Sequence, residues 1–205
     1  MKKFDKIKDY YMQNNQPNQP DYYLLGWESE SAQLQRFEAL VNELNLHGKR
    51  ILDIGCGTGN LLQYLEKRFS DFKYTGVDIL EHMISYAKSK KTRGRFICID
   101  IFKENPFEQN EFDVIFASGI FNINLGNNKK FLIDALKLFN NICKETISFN
   151  LLDGKSLNRE NKYFYTSSDE ICSLINDNYP NQFKIKVIKG YLQNDFTIVC
   201  SKEKC

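Results

Sequence analysis

A chain of 205 residues, 42% hydrophobic and 26% charged, has the make-up of one soluble globular domain. Its 28 Lys and Arg against 26 Asp and Glu leave a net charge of +2, which argues against the basic excess of a protein that lives on nucleic acid. No apolar run approaches the ~18 residues that span a bilayer, and residues 1–11 lack a signal-peptide core. A cytoplasmic protein with no membrane partner is expected.

Along the chain, residues 14–21 are polar with Pro17 and Pro20 and read as a linker after a short polar-aromatic N-terminal segment. Leu34, Phe37, Leu40, Val41 and Leu44 fall at helical spacing and predict a helix over 28–46, stopped by His47-Gly48. From there β-type runs alternate with helical ones. Strands are predicted at 50–54, 73–77, 95–99, 112–117 and 146–151, and helices at 60–69, 81–90, 129–139 and 167–178. Two period-two runs, 183–189 and 196–200, close the chain through a short turn that forces the last strand antiparallel. The expected fold is α/β: a doubly wound Rossmann-like sheet, mostly parallel, with an antiparallel last strand and helices on both faces.

The six cysteines are scattered, with no Cys-x-x-Cys pair and only His47 and His82 as histidines, so no metal site is expected. Cys98, Cys143 and Cys200 lie in or beside apolar runs and read as buried free thiols in a reducing compartment.

In such sheets ligands bind where strands end. The first strand runs into Asp53-Ile54-Gly55-Cys56-Gly57-Thr58-Gly59 and then a helix. Alternating glycines let the backbone turn sharply and a ligand come close. Their spacing differs from the dinucleotide fingerprint G-x-G-x-x-G, and an acid sits where a pyrophosphate would be repelled. The second strand ends at Asp78 and the third at Asp100. A carboxylate at the second strand end can accept both hydroxyls of a ribose, and one a strand further out can accept from an adenine amine. A single acid there reads as a turn residue; three on consecutive strands, with the glycine turn, do not.

These residues resemble the class I S-adenosylmethionine-dependent methyltransferases, over about residues 48–200. The run from Ile51 to Gly59 resembles their first motif, Asp78 the acid of the second, and Ile99-Asp100-Ile101 the third. The resemblance implies S-adenosylmethionine as cofactor. It implies that Gly55, Cys56 and Gly57 line its methionine part with Asp53 near the amino group. Asp78 would hold the ribose, Ile79 and Ile101 would sandwich the adenine, and Asp100 would read its amine. Met83 and Ser118 complete the implied cofactor set. Trp27, the only tryptophan, and Arg36 resemble the pair with which several small-molecule methyltransferases cover the cofactor, the arginine pairing its carboxylate.

Ala117-Ser118-Gly119-Ile120-Phe121-Asn122 departs from the Asn-Pro-Pro-Tyr type of methyltransferases acting on planar amines. With Gly26-Trp27 and Gln35-Arg36-Phe37 it resembles a subgroup of small bacterial methyltransferases. A small-molecule acceptor methylated at oxygen is expected. Candidate catalytic residues are Asn122, Asp153 and Tyr191, with Asn150 and Asp195 on the same edge. Residues 1–47 read as an N-terminal lid and helix, in which Tyr10, Tyr11, Tyr22 and Tyr23 join Trp27, and 48–205 as the cofactor-binding domain. A monomer or homodimer is expected. The alternatives are an RNA or protein methyltransferase, a dinucleotide-dependent oxidoreductase, and a nucleotide-binding protein without turnover.

Overall fold

The structure, a computed structural model, describes residues 3–14, 19–90 and 93–202. Three helices, α1 (Lys3–Asn14), α2 (Asp21–Leu24) and α3 (Glu30–Val41), precede the first strand, β1 (Lys49–Ile54). Then follow α4 (Asn60–Glu66), β2 (Phe72–Asp78), α5 (Glu81–Ser89), β3 (Arg95–Cys98), β4 (Phe112–Ala117) and α6 (Asn128–Ile142). The chain closes with β5 (Cys143–Asp153), the two-residue β6 (Tyr165–Thr166), α7 (Ser168–Asn178), β7 (Phe183–Ile188) and β8 (Asp195–Lys202).

The sheet order is β3-β2-β1-β4-β5-β8-β7, with β6 beside β5. β1 pairs in parallel with β2 and β4, while β8 runs antiparallel to β5 and β7. The antiparallel last strand is therefore interior, and β7 forms the edge. Because β2 and β3 lie on one side of β1 and β4 on the other, a crevice opens at the carboxyl ends of β1 and β4.

Alternate strand residues feed two cores. Leu52, Ile54, Ile115, Ala117 and Phe149 pack with Phe131, Leu136 and Phe139 of α6 and with Ile171 and Ile175 of α7. Ile51, Val114 and Phe116 point the other way, onto Phe37 and Leu40 of α3, Leu61 and Leu65 of α4, and Ala87 of α5. Both sides of the central strands are buried, which is why β4 is an unbroken apolar run apart from Asp113. Two serines cap helices α3 and α7: Ser29 accepts from the Ala32 amide and Ser167 from that of Glu170.

Several expectations are corrected. The N-terminal segment forms helices α1 and α2; of the expected linker, residues 15–18 lie outside the described residues. Helix α3 ends at Val41, not 46, and Leu34 is 41% exposed, because the buried stripe runs Gln33, Arg36, Phe37, Leu40. Cys98 is exposed, as the last residue of an outer strand without a second neighbour; Cys56, Cys143 and Cys200 are buried free thiols, and Cys205 lies outside the described residues. Among the described residues no helix is long and apolar enough to cross a membrane.

Candidate functional site

β1 leads into a turn in which Gly55, Gly57 and Gly59 all take positive φ, 74°, 52° and 78°. The amides of Gly55 and Cys56 both donate to the Val77 carbonyl, at 2.8 and 3.1 Å, which ties the turn to the end of β2. Any side chain at Gly57 would be strained, and its Cβ would fall 2.4 Å from Leu25 Cδ2. The backbone of the turn thus forms one wall of a cavity at the switch point. The cavity has about 1000 Å³ of space unfilled by atoms, part of it open to solvent.

Trp27, Asp53, Gly55, Cys56, Gly57, Asp78, Ile79, Met83, Ile101 and Ser118 all line it. Asp78 accepts from the amides of Gly57 and Leu80, both at 2.9 Å, one on each carboxylate oxygen. Each oxygen keeps a further lone pair for a ligand. Burial raises the Asp78 carboxyl, against those amide bonds. Asp53, 2% exposed, accepts from the Tyr74 hydroxyl. Burial pushes its carboxyl up to about 7, the Tyr74 hydrogen bond opposing and the nearby Asp78 adding. Asp53 and Asp78 are the only charged side chains on the wall among the described residues.

Arg36 and Asp100 do not line the cavity. Arg36 is engaged elsewhere: its Nε and Nη2 donate to the two carboxylate oxygens of Asp195, at 2.8 and 2.6 Å, with both side chains buried. The Trp27 ring lies 4.5 Å from the guanidinium. Trp27 also covers Gly119, where a Cβ would come 2.6 Å from the indole. Asp100 caps its own turn, accepting from the Phe102 amide and pairing with Lys103 at 3.0 Å.

The candidate catalytic residues Asn122, Asp153 and Tyr191 are also off the cavity wall. Asp153 accepts from the Lys155 amide at 2.9 Å, as a turn residue. The Tyr191 hydroxyl is bonded to Thr197 Oγ1 at 2.9 Å, and burial raises it well above the usual phenol range. Asn122 is buried, and its Oδ1 has no partner among the described residues. Asn150 shapes the wall indirectly: it accepts from the Gly119 amide and donates to Ser118 Oγ.

Several wall residues carry no motif. Ile7 and Tyr11 of α1 and Leu25 after α2 close the cavity from the N-terminal side. Gln33 and Asn60 supply polar groups beside the glycine turn. Helical spacing was the available signal for Gln33, which lies three and four positions before Arg36 and Phe37.

A cavity whose only charged groups among the described residues are carboxylates, beside a glycine turn with no cation among those residues to meet a pyrophosphate, suits a ligand carrying an ammonium and a sulfonium. Fold and site together define the class I S-adenosylmethionine-dependent methyltransferases. Residues 51–141 match a family model described as a methyltransferase domain, so that stretch carries such a domain. It is similar to malonyl-[acyl-carrier protein] O-methyltransferase 1 of Ilyobacter polytropus, 32% identical over 129 residues, 60% of this chain and 42% of that protein. The chain spans less than half the length of the curated relatives it matches first. Among solved structures it is similar to a SAM-dependent methyltransferase from Aquifex aeolicus, with TM-score 0.66, 17% identity, and 95% and 98% of the two chains covered. Magnesium protoporphyrin IX methyltransferase from Synechocystis PCC 6803 with bound SAH gives 0.64 and 14%, covering 98% and 94%. At these identities the structural matches speak for the fold alone.

Proposed function

We propose that the protein transfers a methyl group from S-adenosylmethionine to an oxygen of a small-molecule acceptor. The observation that carries this reading is the wall of the cavity: two carboxylates, a glycine turn, and otherwise mostly apolar side chains closed over by α1 and Trp27. The bound cofactor supplies an activated methyl on a cationic sulfur. Asp53 faces its amino group, Asp78 accepts from the ribose, Ile79, Met83 and Ile101 hold the adenine, and Ile7, Tyr11 and Trp27 exclude water from the acceptor. Holding donor and acceptor in line supplies most of the acceleration.

Among the described residues the wall offers no imidazole and no carboxylate besides Asp53 and Asp78. An alcohol needs a base to take its proton, whereas a carboxylate, with a pKa near ~4, is already ionised at neutral pH. The wall therefore favours a carboxyl oxygen, in keeping with the O-methyltransferase named for the Ilyobacter relative. The test is transfer of radiolabelled methyl into a small-metabolite extract, followed by mild alkali. Alkali-labile label, released as methanol, is expected; label in bulk RNA or protein, or alkali-stable label, would contradict the reading.

Two predictions arise here. Deleting residues 1–27 removes Ile7, Tyr11, Leu25 and Trp27 from the wall and should abolish transfer while the circular dichroism of the sheet persists. Full activity after the deletion would overturn the lid. Cofactor affinity should also depend on pH through Asp53, whose titratable neighbours are Tyr74, Cys56 and Asp78. In the free protein Asp53 is protonated below about pH 7. A cationic ligand favours the ionised form, so binding below that pH releases a proton. Affinity should fall by about tenfold per pH unit on acidification and level off above neutrality. Calorimetry across that range checks this, and Asp53→Asn should flatten the slope.

A further inference from the structure

With Arg36 committed to Asp195, the cavity needs another donor for the carboxylate of the cofactor's methionine part. Gln33 lies on the wall between the cavity and a surface groove along α3 and α4, and it is 3% exposed. Its Nε2 is buried and has no partner among the described residues. An unpartnered buried amide donor is costly, which makes its persistence informative.

The polarity of this amide is fixed from outside the cavity. Lys90 Nζ can only donate, and it is anchored by Asp21 of α2. It donates to Asn60 Oδ1 at 2.5 Å, so that atom must be the oxygen of the Asn60 amide. Thr58 Oγ1, at 3.2 Å, donates to the same oxygen. Asn60 Nδ2 is thereby turned toward Gln33, donating to Oε1 at 3.1 Å. The Gln33 oxygen is taken, and its NH₂ is what remains. Arg36 Nη1 is likewise buried and without a partner among the described residues, but Arg36 is not on the cavity wall.

Resting on the cofactor reading above, we infer that Gln33 Nε2 grips the methionine carboxylate of the cofactor, and that the lid residue Asp21 sets its polarity through Lys90 and Asn60. The glutamine binds the ligand directly, and Lys90 and Asn60 are positioning residues. Ordering of α2 thus prepares the carboxylate anchor, so lid and cofactor site are coupled.

The test compares S-adenosylhomocysteine with methylthioadenosine, which shares the adenosine and sulfur but has no carboxylate. Both are titrated calorimetrically into wild type, Gln33→Leu, Gln33→Glu and Lys90→Met. Gln33→Leu should weaken S-adenosylhomocysteine by about 10- to 100-fold, the worth of one charge-assisted hydrogen bond, and leave methylthioadenosine unchanged. Gln33→Glu keeps the acceptor for Asn60 but loses the donor, and should lose at least as much for S-adenosylhomocysteine alone. Lys90→Met frees the Asn60 amide to flip and should produce a smaller loss with the same selectivity. Unchanged S-adenosylhomocysteine binding in both Gln33 variants would overturn the inference, as would equal losses for the two compounds. Wild type binding neither compound would overturn the cofactor reading itself.

Discussion

Asp195→Ala is expected to cost about 3–5 kcal/mol of stability, the cost of removing one partner of a buried ion pair. Asp195 and Arg36 are 3% and 7% exposed and share a two-bond ion pair, so removing the carboxylate strands a guanidinium in the core. For a domain of this size the melting temperature should drop by roughly 10 °C. Burial raises the Asp195 carboxyl, and the guanidinium opposes that rise without cancelling it, so desolvation outweighs the attraction at this carboxyl. The double variant Arg36→Met with Asp195→Leu should accordingly be more stable than Asp195→Ala. Chemical denaturation of the variants checks this, and a double variant no more stable than Asp195→Ala would contradict it.

The second large effect is on cofactor binding. Asp78→Ala should weaken S-adenosylmethionine by about 100-fold or more, since hydrogen bonds to a charged group contribute roughly 1.5–3 kcal/mol each and the proposed role of Asp78 is to accept two from the ribose. The loss has a second source: the Gly57 and Leu80 amides lose their acceptor, so the glycine turn loosens as well. Asp153→Ala, which removes only a turn contact to Lys155, should change affinity by less than about threefold. Equal affinities in the two folded variants would mean that the cofactor does not lie against the end of β2.

The parts of this arrangement that were legible in the sequence are the ones written in short range. β4 coincides with its predicted run because both faces are buried and Phe112 to Ala117 is almost wholly apolar. The glycine turn and Asp78 sit next to the strands that position them, and their spacing carries the chemistry. Helix α1 was missed because Lys3–Asn14 mixes lysines, acids and tyrosines and is polar overall, with few apolar residues to mark a buried face. The partner of Arg36 lies 159 residues away on β8 and leaves no local trace. Asn122, Asp153 and Tyr191 follow strands on the expected edge, yet their side chains serve turns, burial and a hydroxyl pair rather than the cavity. Strand ends locate an edge, and side-chain direction within that edge is set by packing. Gln33 shows the same limit: a one-residue choice of register, Leu34 against Gln33, decides whether α3 appears purely hydrophobic or presents an amide to the site.

The central claim is that the acid-lined cavity takes S-adenosylmethionine. Calorimetric titration of the intact chain with S-adenosylmethionine, S-adenosylhomocysteine and a nicotinamide dinucleotide tests it most directly. The cavity predicts binding of the first two in the low micromolar range, about −8 kcal/mol, and none of the third, whose pyrophosphate would meet Asp53 and Asp78 with no cation among the described residues of the wall. No binding of either adenosyl compound, together with tight binding of the dinucleotide, would contradict it.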